Sequence, residues 1–197
     1  MGRPSLAALR QEQILDAYES LVPTHGIAVS FKRIADAAGV SPSIITHYFG
    51  SRAKLNREVV ERIVARRRAS FREAGDGLRG RARLDALLRF MFGGEWSRIA
   101  QRNSIVLELL AQASRDPETR KLLRETFLLF EAVLEEQLAE AFPHSSRADR
   151  QAVAYSLMCL GRANEQHIAV GIDRTRSRRA LAAAHVWVAM LENGKAR

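Results

Sequence analysis

Ser43, Thr46 and His47 stand three and one residues apart in the stretch "SPSIITHYF", residues 41–49. On a helix that spacing gathers them on one face. Two hydroxyls and an imidazole both donate and accept hydrogen bonds, so such a face can meet base edges in a DNA major groove. Ile44 and Tyr48 flank it, offering apolar and aromatic surface to thymine methyls. Ile45 and Phe49, four apart, share a different face and are suited to the core beneath. The same residue types also suit a plain corner in an all-α protein, so the neighbouring elements decide.

Those elements are present on both sides. Residues 30–49, "SFKRIADAAGVSPSIITHYF", read as two short helices joined by a tight turn. Gly39 supplies the positive φ the turn needs, Ala35 and Ala38 let the helices touch, and Val40 fills the corner. Ser30 and Ser41 are placed as N-caps, and Pro42 sits in the first turn, where a missing N–H is harmless. Ile14, Leu15, Tyr18, Leu21 and Val22 form the stripe of a preceding helix that ends near His25-Gly26. A longer helix starts at Ser51 and carries Leu55, Val59, Val60, Ile63 and Val64. The glycine-rich, charged segment "EAGDGLRGRAR" at 73–83 then breaks the composition. Beyond it the periodicity predicts helices near 83–98, 103–114, 117–141, 147–170 and 177–192. Strand alternation and hairpin signals are missing, so the expected class is all-α with about nine helices.

Composition narrows the function classes. The chain has 197 residues, a formal net charge of +9 and 47% hydrophobic residues, enough for a real core and basic enough to favour an anionic partner. Nucleic acid comes first among anionic partners and a membrane surface second, and no apolar run approaches the roughly 20 residues that span a bilayer. The N-terminus lacks the apolar core of a signal peptide, so a cytoplasmic location is expected. The single cysteine, Cys159, lies in the apolar run "AVAYSLMCLG" and reads as a buried structural thiol. The five histidines are scattered, and no phosphate loop, metal-ligand spacing or nucleophile motif appears. The expectation is therefore no catalytic residue, no metal, no cofactor, and a protein that is not an enzyme.

The order "IADAAGVSPSIITHYFGSRAKL", residues 34–55, resembles the DNA-binding domain of TetR-family transcriptional regulators, with good coverage from Gln13 to Val60. The resemblance implies a dimeric, sequence-specific regulator, in most members a repressor released from a palindromic operator by a small-molecule effector. It divides the chain into a DNA-binding domain at 1–55 with its helix-turn-helix at 30–49, a connecting helix at 51–72, and an effector-binding and dimerisation domain at 73–197. Carried over by position, Phe31 and Lys32 open the second helix, where the family touches phosphates or bases. Ser41, Ser43, Ile44, Thr46, His47 and Tyr48 fall where its recognition helix meets DNA, and Arg52 stands where a phosphate-binding lysine is usual. Thr46 replaces the family's common tyrosine, and "SIITHYF" is closer to the branch of betaine and choline regulators. "RRR" at 66–68 reads as a solvated face, and Arg3 and Arg10 as a basic arm or a free tail.

For the remainder, the resemblance implies a homodimer through the last two helices, 152–170 and 180–191, whose small residues permit close approach. It also implies a cavity for an effector of unknown identity. Phe90, Trp96 and Phe127 fall on helices around that cavity, as do Phe92, Leu107, Leu110 and Phe130. Glu108, Asn164 and His167 interrupt apolar helices, and a buried polar group needs a partner, in a ligand or across the dimer seam. Aromatics with a carboxylate would suit a cationic ligand. A non-specific, architectural DNA binder without an effector is the alternative.

Overall fold

The computed structural model describes residues 5–93, 104–173 and 175–192; among them are nine helices and no strand. They are α1 Leu6–His25, α2 Phe31–Ala38, α3 Pro42–Phe49, α4 Arg52–Ala74 and α5 Gly80–Phe92. Then follow α6 Ser104–Ala113, α7 Pro117–Ala141, α8 Arg147–Ala169 and α9 Thr175–Glu192. The all-α expectation holds. The first helix begins earlier than its apolar stripe, because Ser5 caps it by accepting from the Ala8 N–H at 3.2 Å. Arg10 is consequently helical and donates to Gln13, while Arg3 lies outside the described residues. The helix expected at 83–98 runs from Gly80 to Phe92, and the end of that expectation falls outside them too.

The helices divide into two compact units. The first contains α1–α3, α4 as far as Arg66, α6, and α7 as far as Leu123. The second contains the rest of α4 and α7 together with α5, α8 and α9. The glycine-rich segment at 75–79 is a turn joining α4 to α5 within the second unit.

In the first unit, Ile14, Tyr18, Ile34, Ile45, Phe49 and Leu55 are fully buried, so each short helix is held by residues from the others. This core needs polar satisfaction at one point. The Tyr18 hydroxyl donates to Asn56 Oδ1 at 2.7 Å and also lies 3.1 Å from the Ile27 carbonyl. Burial raises the Tyr18 pKa above its ordinary value, against the lowering effect of nearby Arg52. Outside the core, Arg62 of α4 donates to Glu12, Asp16 and Glu19 of α1, and Arg66 joins Glu19 at 2.6 Å.

The second unit is built on Leu84, Leu88, Leu134, Leu138, Leu157 and Val188, drawn from four different helices. Two expectations fail here. Arg67 is only 5% exposed, so the triple arginine is not a uniform solvated face: Arg66 and Arg68 point outward and Arg67 inward. Helical periodicity explains it, since Ile63, Arg67 and Phe71 fall on one inward stripe. Cys159 is exposed rather than buried, because the inward stripe of α8 is Val153, Leu157, Gly161 and Asn164.

Candidate nucleic-acid interface and ligand cavity

The turn between α2 and α3 is made by Gly39, at φ 65° and ψ 35°, whose N–H caps α2 on the Ala35 and Asp36 carbonyls. A side chain there would pay the left-handed penalty of about 1 kcal/mol. Ser30 caps α2 by accepting from the Arg33 N–H at 3.2 Å, and Ser51 does the same for α4 through Lys54 at 3.2 Å. Ser41 occupies the N-cap position of α3, but its hydroxyl bonds the Ser43 hydroxyl at 2.8 Å rather than a backbone N–H. With Pro42 following, one orphan donor of that first turn is already gone.

Ile45 and Phe49 anchor α3 in the core, which turns Ser43, Thr46 and His47 outward and exposed. Ile44 and Tyr48 are half-buried at the edge of that face. The His47 and Tyr48 rings meet edge-on at 5.2 Å, and Thr46 Oγ1 reaches only weakly, 3.4 Å, to the Pro42 carbonyl. The exposed hydroxyls and imidazole therefore remain able to bond a partner. Lys54 Nζ donates to the Tyr48 carbonyl at 3.2 Å, placing a cation at the C-terminal end of α3. Lys32 is exposed at the start of α2.

Phe31 and Arg52 differ from their sequence reading. The Arg52 guanidinium lies over the Phe31 ring at 4.6 Å and the Tyr18 ring at 5.3 Å, and donates to the Val29 carbonyl. It is engaged inside the unit, a cross-brace between α4 and the α1–α2 connection, rather than extended toward a phosphate. A lysine cannot stack and fork in this way, so the arginine in place of the usual lysine changes the chemistry of the position.

The residues expected around one effector cavity are divided between the two units. Glu108 belongs to the first unit, is exposed, and accepts from the Ile27 N–H at 3.3 Å. Gly26 makes room for it: a Cβ there would come within 3.1 Å of Glu108 Oε2. Asn164 is buried but accepts from the Ser177 hydroxyl at 2.9 Å, joining α8 to α9, and His167 is exposed. Phe90 packs edge-on against Phe71 at 6.0 Å, and Trp96 lies outside the described residues.

The second unit does contain a small concavity of about 30 Å³, partly open to solvent. Phe71, Met91, Phe130, Val133, Leu134 and Met158 make it apolar. Arg67, Arg162 and Glu165 supply its polar side. Glu165 lies 3.2 Å from Arg162 and 3.6 Å from Arg67, and the Arg162 guanidinium stacks over Phe127 at 4.3 Å. Burial lowers the Arg67 pKa from its usual value, Glu165 opposes that shift, and Arg162 adds to it. The sequence reading missed this trio. The i, i+3 pair Arg162–Glu165 and the Ile63–Arg67–Phe71 stripe were the available signals.

Residues 14–59 match the N-terminal domain of the bacterial regulatory proteins of the tetR family. The HTH-type transcriptional regulator BetI of Brucella anthropi is 31% identical over 134 residues, 63% of this chain and 64% of that protein. The BetI of Rhizobium meliloti is 28% identical over 62% of this chain and 61% of its own length. The chain thus spans less than two thirds of these curated relatives. In structure, a regulator from Pseudomonas aeruginosa PAO1 superposes with a TM-score of 0.81 over 96% of this chain and 93% of its own, at 23% identity. A regulator from Saccharomonospora viridis, solved in complex with choline, has a TM-score of 0.72 at 17% identity, covering 88% of this chain and 93% of its own. At those identities the likeness establishes the fold. Residues 14–59 are thus a domain of the kind that opens the bacterial regulatory proteins of the tetR family, and the chain beyond them is similar to the BetI regulators over part of its length and shares the fold of these solved regulators.

Proposed function

We propose that the protein is a dimeric, sequence-specific DNA-binding repressor, released from a palindromic operator by a small-molecule effector. The observation that carries this reading is the outward face of α3: Ser43, Thr46 and His47 exposed above a buried Ile45–Phe49 anchor. A rigid helix presenting adaptable donors and acceptors is what direct readout in the major groove requires. Ser41, Ile44 and Tyr48 border the reading face, Lys32 and Lys54 contact phosphates, and Phe31 and Arg52 hold the module in shape.

Dimerisation is supported by α8 and α9. Tyr155 is 61% exposed and Val186 64% exposed, and Ala152, Cys159, Ala163 and Ala182 are exposed with them. An apolar, small-residue face of this kind suits a helix-on-helix contact with a second copy. Residues 73–197 then serve as the effector and dimerisation region, with the effector site opening from the apolar concavity beside Phe71, Met91 and Phe130.

The test is footprinting and fluorescence anisotropy on the DNA flanking the protein's own gene. A protected inverted repeat is expected, bound far more tightly than scrambled DNA. Ser43→Ala/His47→Ala should lose that preference while retaining salt-dependent background binding. If the double variant binds the operator like wild type, the assigned reading face is wrong; if scrambled DNA binds equally, the protein is an architectural binder.

A further inference from the structure

We propose that the second unit carries a further ligand site, a groove between α4, α5 and α7 whose arginines grip the oxyanion of a short-chain organic acid. The groove shares Phe71 and Phe130 with the small concavity but opens among different polar residues. The proposal does not rest on the effector reading.

The groove has room, about 180 Å³, and Phe71, Leu87 and Phe130 give it an apolar wall that suits hydrocarbon. Around that wall stand Arg68 and Arg72 of α4, exposed at the rim, and Arg83 of α5, half-buried. Glu136 of α7 is the one acid among them. None of these four side chains makes a hydrogen bond or ion pair, so no internal partner already answers the arginines. The next acid along that stripe of α7, Glu140, is held by the Gly80 N–H at 2.8 Å. Arginine keeps its charge at any ordinary pH.

Arg83 is fixed in place. Gly75, just past the end of α4, leaves the notch its stem fills: a Cβ there would come within 3.0 Å of Arg83 Cγ and 3.3 Å of Nε. The fit shuts Nε away from solvent without giving it a partner. A partly desolvated cation with no counter-charge gains most from an entering anion. The terminal nitrogens of its fork are left to meet an oxygen pair. Gln137 turns its amide oxygen into the protein, which leaves its N–H groups as further donors. An ammonium entering this groove would meet three cations and one carboxylate. A neutral alcohol would gain the apolar wall and no charge-assisted bond.

Calorimetry on the full chain with hexanoate, hexanol and hexyltrimethylammonium tests this. Hexanoate should bind, and the matched alcohol and ammonium should bind at least about tenfold more weakly, the loss expected with one charge-assisted hydrogen bond. Arg83→Gln should weaken hexanoate about tenfold or more, and Gly75→Ala should weaken it by displacing the Arg83 stem. Arg72→Gln alters an exposed side chain with no internal bond, so it leaves the fold intact and should still weaken binding. Glu136→Gln should tighten binding by removing the repelling carboxylate. Arg115→Gln, which removes the same charge from an exposed position in the first unit, should leave binding unchanged. No binding of any probe, equal binding of the alcohol, or preference for the ammonium overturns the assignment. So does hexanoate binding that ignores Arg72→Gln and Arg83→Gln, that Arg115→Gln weakens equally, or that Glu136→Gln weakens.

Discussion

Arg52 shows how one side chain can convert a surface position into a brace. Its stack on Phe31 and its bond to the Val29 carbonyl join the start of α4 to the entry of α2. Arg52→Ala should destabilise the N-terminal unit by about 1–3 kcal/mol, the range for removing a charged partner from a backbone acceptor. Arg52→Lys should recover only part of this, because an ammonium does not stack flat. Urea unfolding followed by circular dichroism gives both values. Tyr18 makes a complementary prediction about pH. Its folded pKa is raised by burial, so its neutral form is favoured and its contribution is intact below the unfolded value of about 10. That contribution should be lost as pH climbs through the raised folded value, and Tyr18→Phe should lack this component of the alkaline decline. The same variant should lose about 1–3 kcal/mol at neutral pH by leaving Asn56 Oδ1 buried without its donor.

Among the elements, α2 and α3 depend on one backbone angle. Gly39→Ala meets no atom within 4 Å, so its effect isolates the left-handed strain. About 1 kcal/mol of destabilisation is expected, with Gly39→Asn milder, measured by thermal unfolding. This corner was legible in the sequence because every signal is local: a glycine, two cap positions, and apolar residues four apart. The anchors Ile34, Ile45 and Phe49 are buried as their spacing required. What escaped were features that depend on which stripe of a long helix faces inward. Arg67 and Cys159 exchanged their expected environments for that reason. Glu108 was read as a pocket carboxylate because apolar neighbours surround it in sequence, yet its partner, the Ile27 N–H, lies 81 positions away. Polarity in an apolar helix signals that a partner exists; it does not say whether that partner is a ligand or the chain's own backbone.

For the whole molecule, with its net charge of +9, the number of phosphates its lysines and arginines neutralise sets how DNA binding should respond to salt. Affinity should fall linearly on a log–log plot, and Lys32→Ala should flatten the slope by about one phosphate contact without altering sequence preference. Association of two copies is tested by Val186→Glu, which places a charge in the exposed face of α9. Light scattering should then report the 22.0 kDa monomer in place of a dimer, with operator affinity reduced because one half-site is released at a time. The Glu108 contact bears on how such regulators can be recombined. A chimera cut inside α4 at residue 66 would transplant the reading head but leave behind 102–123, which belong to the same compact unit. The Ile27 N–H would lose its acceptor, and the cleft Gly26 keeps open would stand empty. The first compact unit is therefore discontinuous in sequence, and a graft built from one uninterrupted N-terminal segment would inherit α3 without part of its mounting.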